Sequence, residues 1–409
     1  MVVVALSAGR SVEASSPEAA QDFDAAWTFI RDHYCFFPDG PAAWNEARSA
    51  LRPRAIAATT KTQTIRVLED LLDQLADPHA HLRVNLASSH RLIPHDVWGS
   101  RSPDGLLLEA VRSGSRAQAA GVRPGDVVIA INGRPALEVA DAVRPKHSPR
   151  SDAVLDQWSA LIALAGRHDT PRMWRVRSGD VERVVDVDHA SAPRAEEAPL
   201  VSAEELSDAV GLIRIRSFAD PTVVPLFDAA LDRFLHKAVL IVDVRDNHGG
   251  DTAIARPIMG RFIDRRKPYA LMRRREGDGL GRPWTEYVEP RGPQYPGRVA
   301  VLVDRFSASM AEGFAMGMRT IAGATLVGTK MAGLGAAVAV LTLPNSGYRL
   351  QISAEPVYTV EDRPRWTLEP DILVSLQQLR SSEDAILETA LRWARQAAAP
   401  KDLPAPKDL

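Results

Sequence analysis

The chain has 409 residues, 45% hydrophobic and 25% charged, an ordinary globular composition in a length that exceeds one compact core. Its 50 basic and 52 acidic side chains leave a formal net charge of −2, so bulk electrostatics offer no case for nucleic acid or anionic lipid as a partner. The single cysteine, Cys35, excludes an internal disulfide and a cysteine-built metal site.

Residues 1–16 open with a short apolar stretch and small residues but lack a basic leader, which reads as a signal remnant or a disordered end. Residues 17–90 read as a helical segment. Phe23, Ala26, Trp27, Ile30 and Tyr34 recur at three- and four-residue spacing over Asp22–Tyr34. Ile65, Leu68, Leu71, Leu72 and Leu75 do the same over Thr62–Leu75. This second pattern breaks at Asp77-Pro78, because proline disfavours helix in the residue before it, and His79-Ala-His81 follows. No apolar run is long enough for a membrane span.

Residues 91–190 change to β character. Gly105–Val111 reads as a strand, Ser115–Gly121 as a short helix closed by glycine, and Val127–Ile131 as a second strand running into an Asn132-Gly133 hairpin turn. Over residues 104–137 this closely resembles a PDZ domain of the kind found in bacterial proteases, a module that adds an extended peptide end to a sheet edge. Arg91 to Gly99, where its carboxylate-binding loop would fall, lacks the glycine-apolar pattern, so the resemblance does not by itself imply peptide capture.

Residues 200–398 alternate strand and helix: strands at Gly211–Ile215, Ala238–Asp243 and Val299–Val303, helices at Pro221–His236, Thr252–Phe262 and Ala308–Ile321. That alternation predicts an α/β core with largely parallel strands. Ala324–Thr359 reads as strand-rich, Glu383–Ala398 as a closing helix, and residues 399–409, with Lys-Asp-Leu repeated around prolines, as a disordered tail. The fold class expected is multidomain α+β: a helical segment, a PDZ-like β domain and an α/β core.

Two turns could carry chemistry. Ser307-Ala-Ser309 follows a fully apolar strand and precedes a helix, so either hydroxyl is a helix N-cap or a nucleophile beside free backbone N–H groups. Asp243-Val-Arg-Asp-Asn-His-Gly-Gly250 follows another buried strand, and its paired glycines suit a close backbone approach or an anion-binding nest. No His-Glu-x-x-His spacing suggests a metal, and no lysine and hydroxyl follow the glycines as a phosphate loop requires.

Leu240–Gly250, Ser307–Glu312, Val327–Thr329 and Leu368–Ile372, in that order, resemble the peptidase S41 family, which includes the tail-specific and the tricorn-like proteases. The likeness covers roughly residues 20–395 and implies a crotonase/ClpP-like α/β protease core. It implies Ser309, not Ser307, as nucleophile. The oxyanion hole would come from the N–H of Met310 and of Gly249 or Gly250, with Asn247 and His248 near the substrate. The lysine base of tail-specific members is replaced by Leu334 and its supporting glutamine by Val338, while Lys330 lies too early and reads as a surface lysine. By likeness to the tricorn branch the base is His79, with Glu361, or Asp362 beside it, orienting the imidazole. The serine that precedes this histidine in tricorn-like proteins is Pro78 here. His81 points away if the stretch is extended.

The resulting expectation is serine-type peptide-bond hydrolysis through an acyl-enzyme, on a peptide or protein substrate, with no metal or organic cofactor. By the family's habit it would act outside the cytoplasm, and a homo-oligomer is left open. The alternative is a catalytically inactive relative that binds peptides and has lost its base.

Overall fold

The computed structural model describes residues 17–37, 40–189 and 198–398; the expected signal remnant and tail lie outside them. Three helices open the chain, α1 (Pro17–His33), α2 (Trp44–Ile56) and α3 (Lys61–Asp73), followed by a two-residue strand β1 (His81–Leu82). Helix α1 buries the periodic face formed by Phe23, Ala26, Trp27 and Ile30. Helix α3 starts at Thr60, whose side chain accepts from the Gln63 N–H while Gln63 reaches back to the Thr60 N–H. The apolar faces of these helices close on Leu343, Leu350 and Ile352, far along the chain. The helical region therefore shares a core with the α/β part.

The PDZ-like module contains β2 (Val97–Ser102), β3 (Gly105–Val111), α4 (Arg116–Ala119), β4 (Val127–Ile131), β5 (Arg134–Pro135), α5 (Ala136–Val143), α6 (Asp152–Ala165), β6 (Met173–Ser178) and β7 (Val181–Asp186). Its sheet runs β2-β3-β4-β6-β7, with every neighbouring pair antiparallel. Asn132 and Gly133 both take positive φ, 51° and 78°, as a two-residue turn of type I′ requires. Helix α6 covers the β2 edge. Gln157 Nε2 donates to the Gly99 carbonyl at 2.8 Å, and a Cβ at Gly99 would lie 2.7 Å from Leu164 Cδ1. On its other side α6 packs Trp158, Leu161 and Ile162 with Phe306 and Leu334 of the core. Buried on nearly every face, it shows no amphipathic stripe.

The core follows with β8 (Val201–Ser207), β9 (Val210–Ile215), α7 (Val223–Asp232), β10 (Val239–Asp243), α8 (Thr252–Met259), β11 (Lys267–Met272), the short ribbon β12 (Arg275–Glu276) and β13 (Gly279–Leu280), β14 (Trp284–Val288), β15 (Arg298–Val303) and α9 (Met310–Ala322). Then come β16 (Thr325–Gly328), β17 (Ala336–Thr342), β18 (Arg349–Tyr358), β19 (Ile372–Leu373), α10 (Leu376–Ser381) and α11 (Ala385–Ala398). The main sheet runs β19-β16-β15-β10-β9-β8. It is parallel from β19 to β9, with β8 antiparallel at the edge. A second sheet runs β1-β18-β11-β14, with β17 also paired to β18. All five residues of β10 are buried, as an apolar run covered on both faces demands. Among the described residues no helix is long and apolar enough to cross a membrane.

Candidate active site

Strands β10 and β15 are adjacent and parallel, with Asp243 opposite Leu302. Their carboxyl ends therefore release both chemical turns into one crevice, where ligands of open α/β sheets bind. The contact between the turns is tight: a Cβ at Gly249 would lie 2.6 Å from Met310 N, 2.8 Å from the Ala308 carbonyl oxygen and 2.8 Å from Ser309 Cβ. Only glycine, here at φ +94°, permits this approach. The Ala308 N–H donates to the Asn247 carbonyl at 2.9 Å, stitching the turns together.

The two serines separate by environment. Ser307 is fully buried, and its hydroxyl donates to the Val244 carbonyl at 2.9 Å and accepts the Asp304 N–H at 3.0 Å. It is a structural pin. Ser309 stands at the amino end of α9 with φ 55° and ψ −114°, a strained backbone for a residue with a side chain. Its N–H donates to Glu312 Oε1 at 3.0 Å, and the same oxygen accepts the Leu334 N–H at 2.8 Å. Glu312 is buried, which raises its carboxyl pKa, with the Arg365 charge opposing.

Ser309 opens on a cavity of about 410 Å³ whose walls include Gly250, Met310, Tyr269, Met272, Val357 and Arg365. Neither the Gly250 nor the Met310 N–H donates to a turn or loop carbonyl among the described residues. The Gly249 N–H differs: it donates to Asn247 Oδ1 at 2.8 Å. This corrects the expectation for Gly249, which supplies close approach rather than a donor. Asn247 is corrected too. It is fully buried, with its Nδ2 donating to the Ile215 carbonyl at 3.0 Å, so it shapes the turn and does not face a substrate. His248 is exposed, 3.8 Å from Asp246.

His79 lies on the segment between α3 and β1. That segment is held by the His79 N–H donating to Asp77 Oδ1 at 2.9 Å and by Gln351 Nε2 donating to the His79 carbonyl at 3.0 Å. Burial lowers the imidazole pKa to about 4; Asp77 opposes this and the Arg365 charge adds to it. The ring is therefore neutral at pH 7, and its Nδ1 has no hydrogen-bond partner among the described residues. His79 does not line the Ser309 cavity. Arg365 is the group common to both surroundings, for it also lines a second cavity walled by Asp77, Pro78 and Glu312.

Glu361 does not reach His79. It is exposed on the turn after β18, where neighbouring Asp362 pairs with Arg273 at 2.6 Å. The charged groups that act on His79 are Asp77, Arg365 and His81. The sequence offers no spacing rule by which Asp77, two residues away, would replace a distant glutamate. Leu334 packs into the apolar cluster with Phe306 and Ala308, Val338 is exposed, and Lys330 is an exposed partner of Glu369 at 2.8 Å. His81 faces a different pocket, beside Glu69 and Asp73. Among the described residues no group of three His, Cys, Asp or Glu side chains is placed to hold a metal ion. Arg365 and Asp77 went unnoticed as site groups in the sequence, because neither stands in a recognisable motif.

Residues 209–374 match the model of peptidase family S41, residues 15–73 that of the tricorn protease C1 domain, and residues 108–145 a PDZ domain. A probable CtpA-like serine protease of Staphylococcus aureus (strain COL) is 24% identical over 280 residues, covering 66% of this chain and 51% of the relative. The chain thus spans about half the length of the curated relatives it matches. Mature CPAF complexed with lactacystin superposes with a TM-score of 0.62 at 16% identity, covering 93% of this chain and 98% of that one. The photosystem II D1 C-terminal processing protease gives 0.57 at 15% identity, covering 94% and 98%. At these identities the structural likeness is one of fold.

Proposed function

Residues 209–374 belong to peptidase family S41, and from that premise we propose that the chain is a serine peptidase with Ser309 as its nucleophile. The observation that carries this reading is the packing of Gly249 against Ser309 and Met310, so close that a Cβ on Gly249 would lie 2.6 Å from Met310 N. It joins the two turns into one constellation. Ser309 Oγ attacks the peptide carbonyl carbon and its proton passes to His79. The oxyanion is received by the N–H groups of Gly250 and Met310 at the positive end of α9. The C–N bond then breaks as His79 returns the proton to the leaving amine, leaving an acyl-enzyme. Water, deprotonated by His79, attacks the acyl carbon, and the acid product leaves as the proton returns to Ser309.

The neutral, unpaired imidazole supports His79 as base, and Asp77 supports it as the carboxylate that holds its segment. The mechanism requires His79 to approach Ser309 in the substrate complex, where catalytic hydrogen bonds commonly tighten. A second reading, an inactive peptide-binding relative, is favoured by Leu334 in the lysine place and by the absence of His79 from the Ser309 cavity. A fluorophosphonate probe decides between them. Labelling abolished by Ser309→Ala and slowed at least a hundredfold by His79→Ala is expected. An unlabelled wild-type protein would mean that the peptidase reading is wrong, and labelling indifferent to His79→Ala would remove His79 from it.

A further inference from the structure

Helix α9 carries glycine at 313 and 317, four residues apart and so on one face. Neither takes a positive φ, so the backbone does not require glycine, and each weakens the helix relative to alanine. Packing accounts for Gly317: a Cβ there would lie 2.5 Å from Met259 Sδ and 3.2 Å from Tyr269 Cδ2. The Tyr269 ring is thereby held flush against the helix. Gly313 is different. A Cβ there would meet the ends of two flexible side chains, Met310 Cε at 3.1 Å and Arg365 Nη1 at 3.2 Å, and no backbone. The residue lines the Ser309 cavity, and that space is what its missing side chain keeps open.

The wall chemistry suits an aromatic ring. Tyr269, Met272, Met310, Val357 and Ala336 are buried and give the cavity an apolar lining. Thioethers adapt to the shape of what enters and make favourable contacts at ring edges. Arg365 does not turn the cavity into an anion site. Glu312 is the leading charge acting on it, and Glu312 Oε2 is buried with no hydrogen-bond partner among the described residues. The guanidinium is left to attract a ring face. Asp251 is exposed, with its Oδ1 accepting the Ala253 N–H at 2.8 Å, so it stands where the cavity meets water. At about 410 Å³ the space falls within the size of small-molecule pockets, about 300–1,000 Å³, and exceeds what a methyl group fills.

Position identifies the substrate residue that enters. Ser309, Gly250 and Met310 stand together on the wall, so a carbonyl attacked by Ser309 and held by those N–H groups lies at the cavity. The side chain nearest that carbonyl is the one on the adjoining Cα of the same residue. We propose that the Ser309 cavity receives an aromatic side chain from the residue whose carbonyl is attacked, and that Gly313 sets the size it admits. This deepens the peptidase reading, rests on Ser309 as nucleophile, and names the substrate class.

Peptidyl diphenyl phosphonates test both halves. Ser309 Oγ bonds to phosphorus as phenoxide leaves, and the reagent presents a chosen side chain beside the phosphorus with no peptide on the leaving side. In an acetyl-Ala-Ala series, the phenylalanine analogue should modify Ser309 about tenfold or more faster than the alanine analogue, the gain of burying a large apolar side chain. The leucine analogue should fall between them, and the lysine and glutamate analogues should trail phenylalanine. Gly313→Ala should cut the phenylalanine-to-alanine ratio at least about fivefold, because the added methyl overpacks the filled cavity. That ratio cancels any loss of folded or reactive protein, since both reagents read the same preparation. An alanine analogue as fast as phenylalanine, a leucine or charged analogue in the lead, or a ratio unchanged in Gly313→Ala overturns the proposal. A fluorophosphonate without a residue side chain judges Ser309 separately. Labelling by it beside a flat phosphonate series removes this inference and leaves the peptidase reading standing, whereas no labelling removes both.

Discussion

Replacing Gly249 with alanine tests the junction on which the site depends. The new Cβ meets Met310 N at 2.6 Å, the Ala308 carbonyl oxygen at 2.8 Å and Ser309 Cβ at 2.8 Å. Two of these three atoms are backbone, so no rotamer change relieves the clash. Overpacking of this kind costs about 1–3 kcal/mol, and a side chain at positive φ adds about 1–2 kcal/mol, giving about 2–5 kcal/mol in all. If the backbone moves instead, Ser309 and Met310 move with it, and a displacement near 1 Å can lower reactivity by roughly a hundredfold. Gly347→Ala is the control, because Gly347 has φ +69° and nothing within 4 Å of its missing Cβ, so it bears the φ strain alone. Thermal melts and fluorophosphonate labelling rates are measured on both variants. Gly249→Ala should melt lower than Gly347→Ala and label far more slowly than wild type. Equal melts together with wild-type labelling would refute the argument that this glycine holds the two turns in register.

Further outcomes follow from other groups. Ser307→Ala removes a buried hydroxyl bonded at both ends and should cost about 1–3 kcal/mol while leaving Ser309 reactive; loss of labelling without loss of stability would contradict its structural role. His79 has a folded pKa of about 4 against an ordinary 6.5, so above pH 6.5 both states are neutral and nothing is lost. As pH falls from about 6.5 to about 4 the unfolded state gains the proton first, and stability should drop by about 3 kcal/mol. Denaturation profiles of wild type and His79→Gln should diverge across that window, and parallel profiles would show that the imidazole is not buried as described. For the same reason the acid limb of Ser309 labelling should have a midpoint near 4; a midpoint near 6.5 would point to another base. Because Gln157 occupies the Gly99 carbonyl and α6 covers the β2 edge, a free peptide carboxyl end should not bind the PDZ-like module by strand addition, as fluorescence anisotropy on full-length protein will show.

Local pattern carried much of the architecture. Apolar runs at Val239–Asp243 and Val299–Val303, the Asn132-Gly133 turn, the glycine pair at 249–250 and the helix after Ser309 are all short-range signals, because strand burial, turn dihedrals and helix capping depend on neighbouring residues. Helix α6 escaped because burial on nearly all faces leaves no periodicity to read. The short strand β1 escaped because its identity depends on β18, about 270 residues away in the chain. Within the site, Ser309 and the Gly249–Gly250 turn were legible from motif order. Which glycine N–H remains free was not, since that depends on where the Asn247 side chain points.

The sequence by itself determined that two turns follow two buried strands, that a serine and a glycine pair occupy them, and that lysine is missing from position 334. Only the tertiary structure decided which polar groups surround them. It buried Ser307 and left Ser309 at the cavity, set Asp77 rather than Glu361 beside His79, and drew Arg365 from the loop after β18 to the wall of the Ser309 cavity. The physical reason is that secondary structure answers to dihedral preferences and apolar periodicity within a few residues. The charge, solvation and hydrogen bonding of a site are set instead by groups that meet only when strands distant in sequence pair and close a common core.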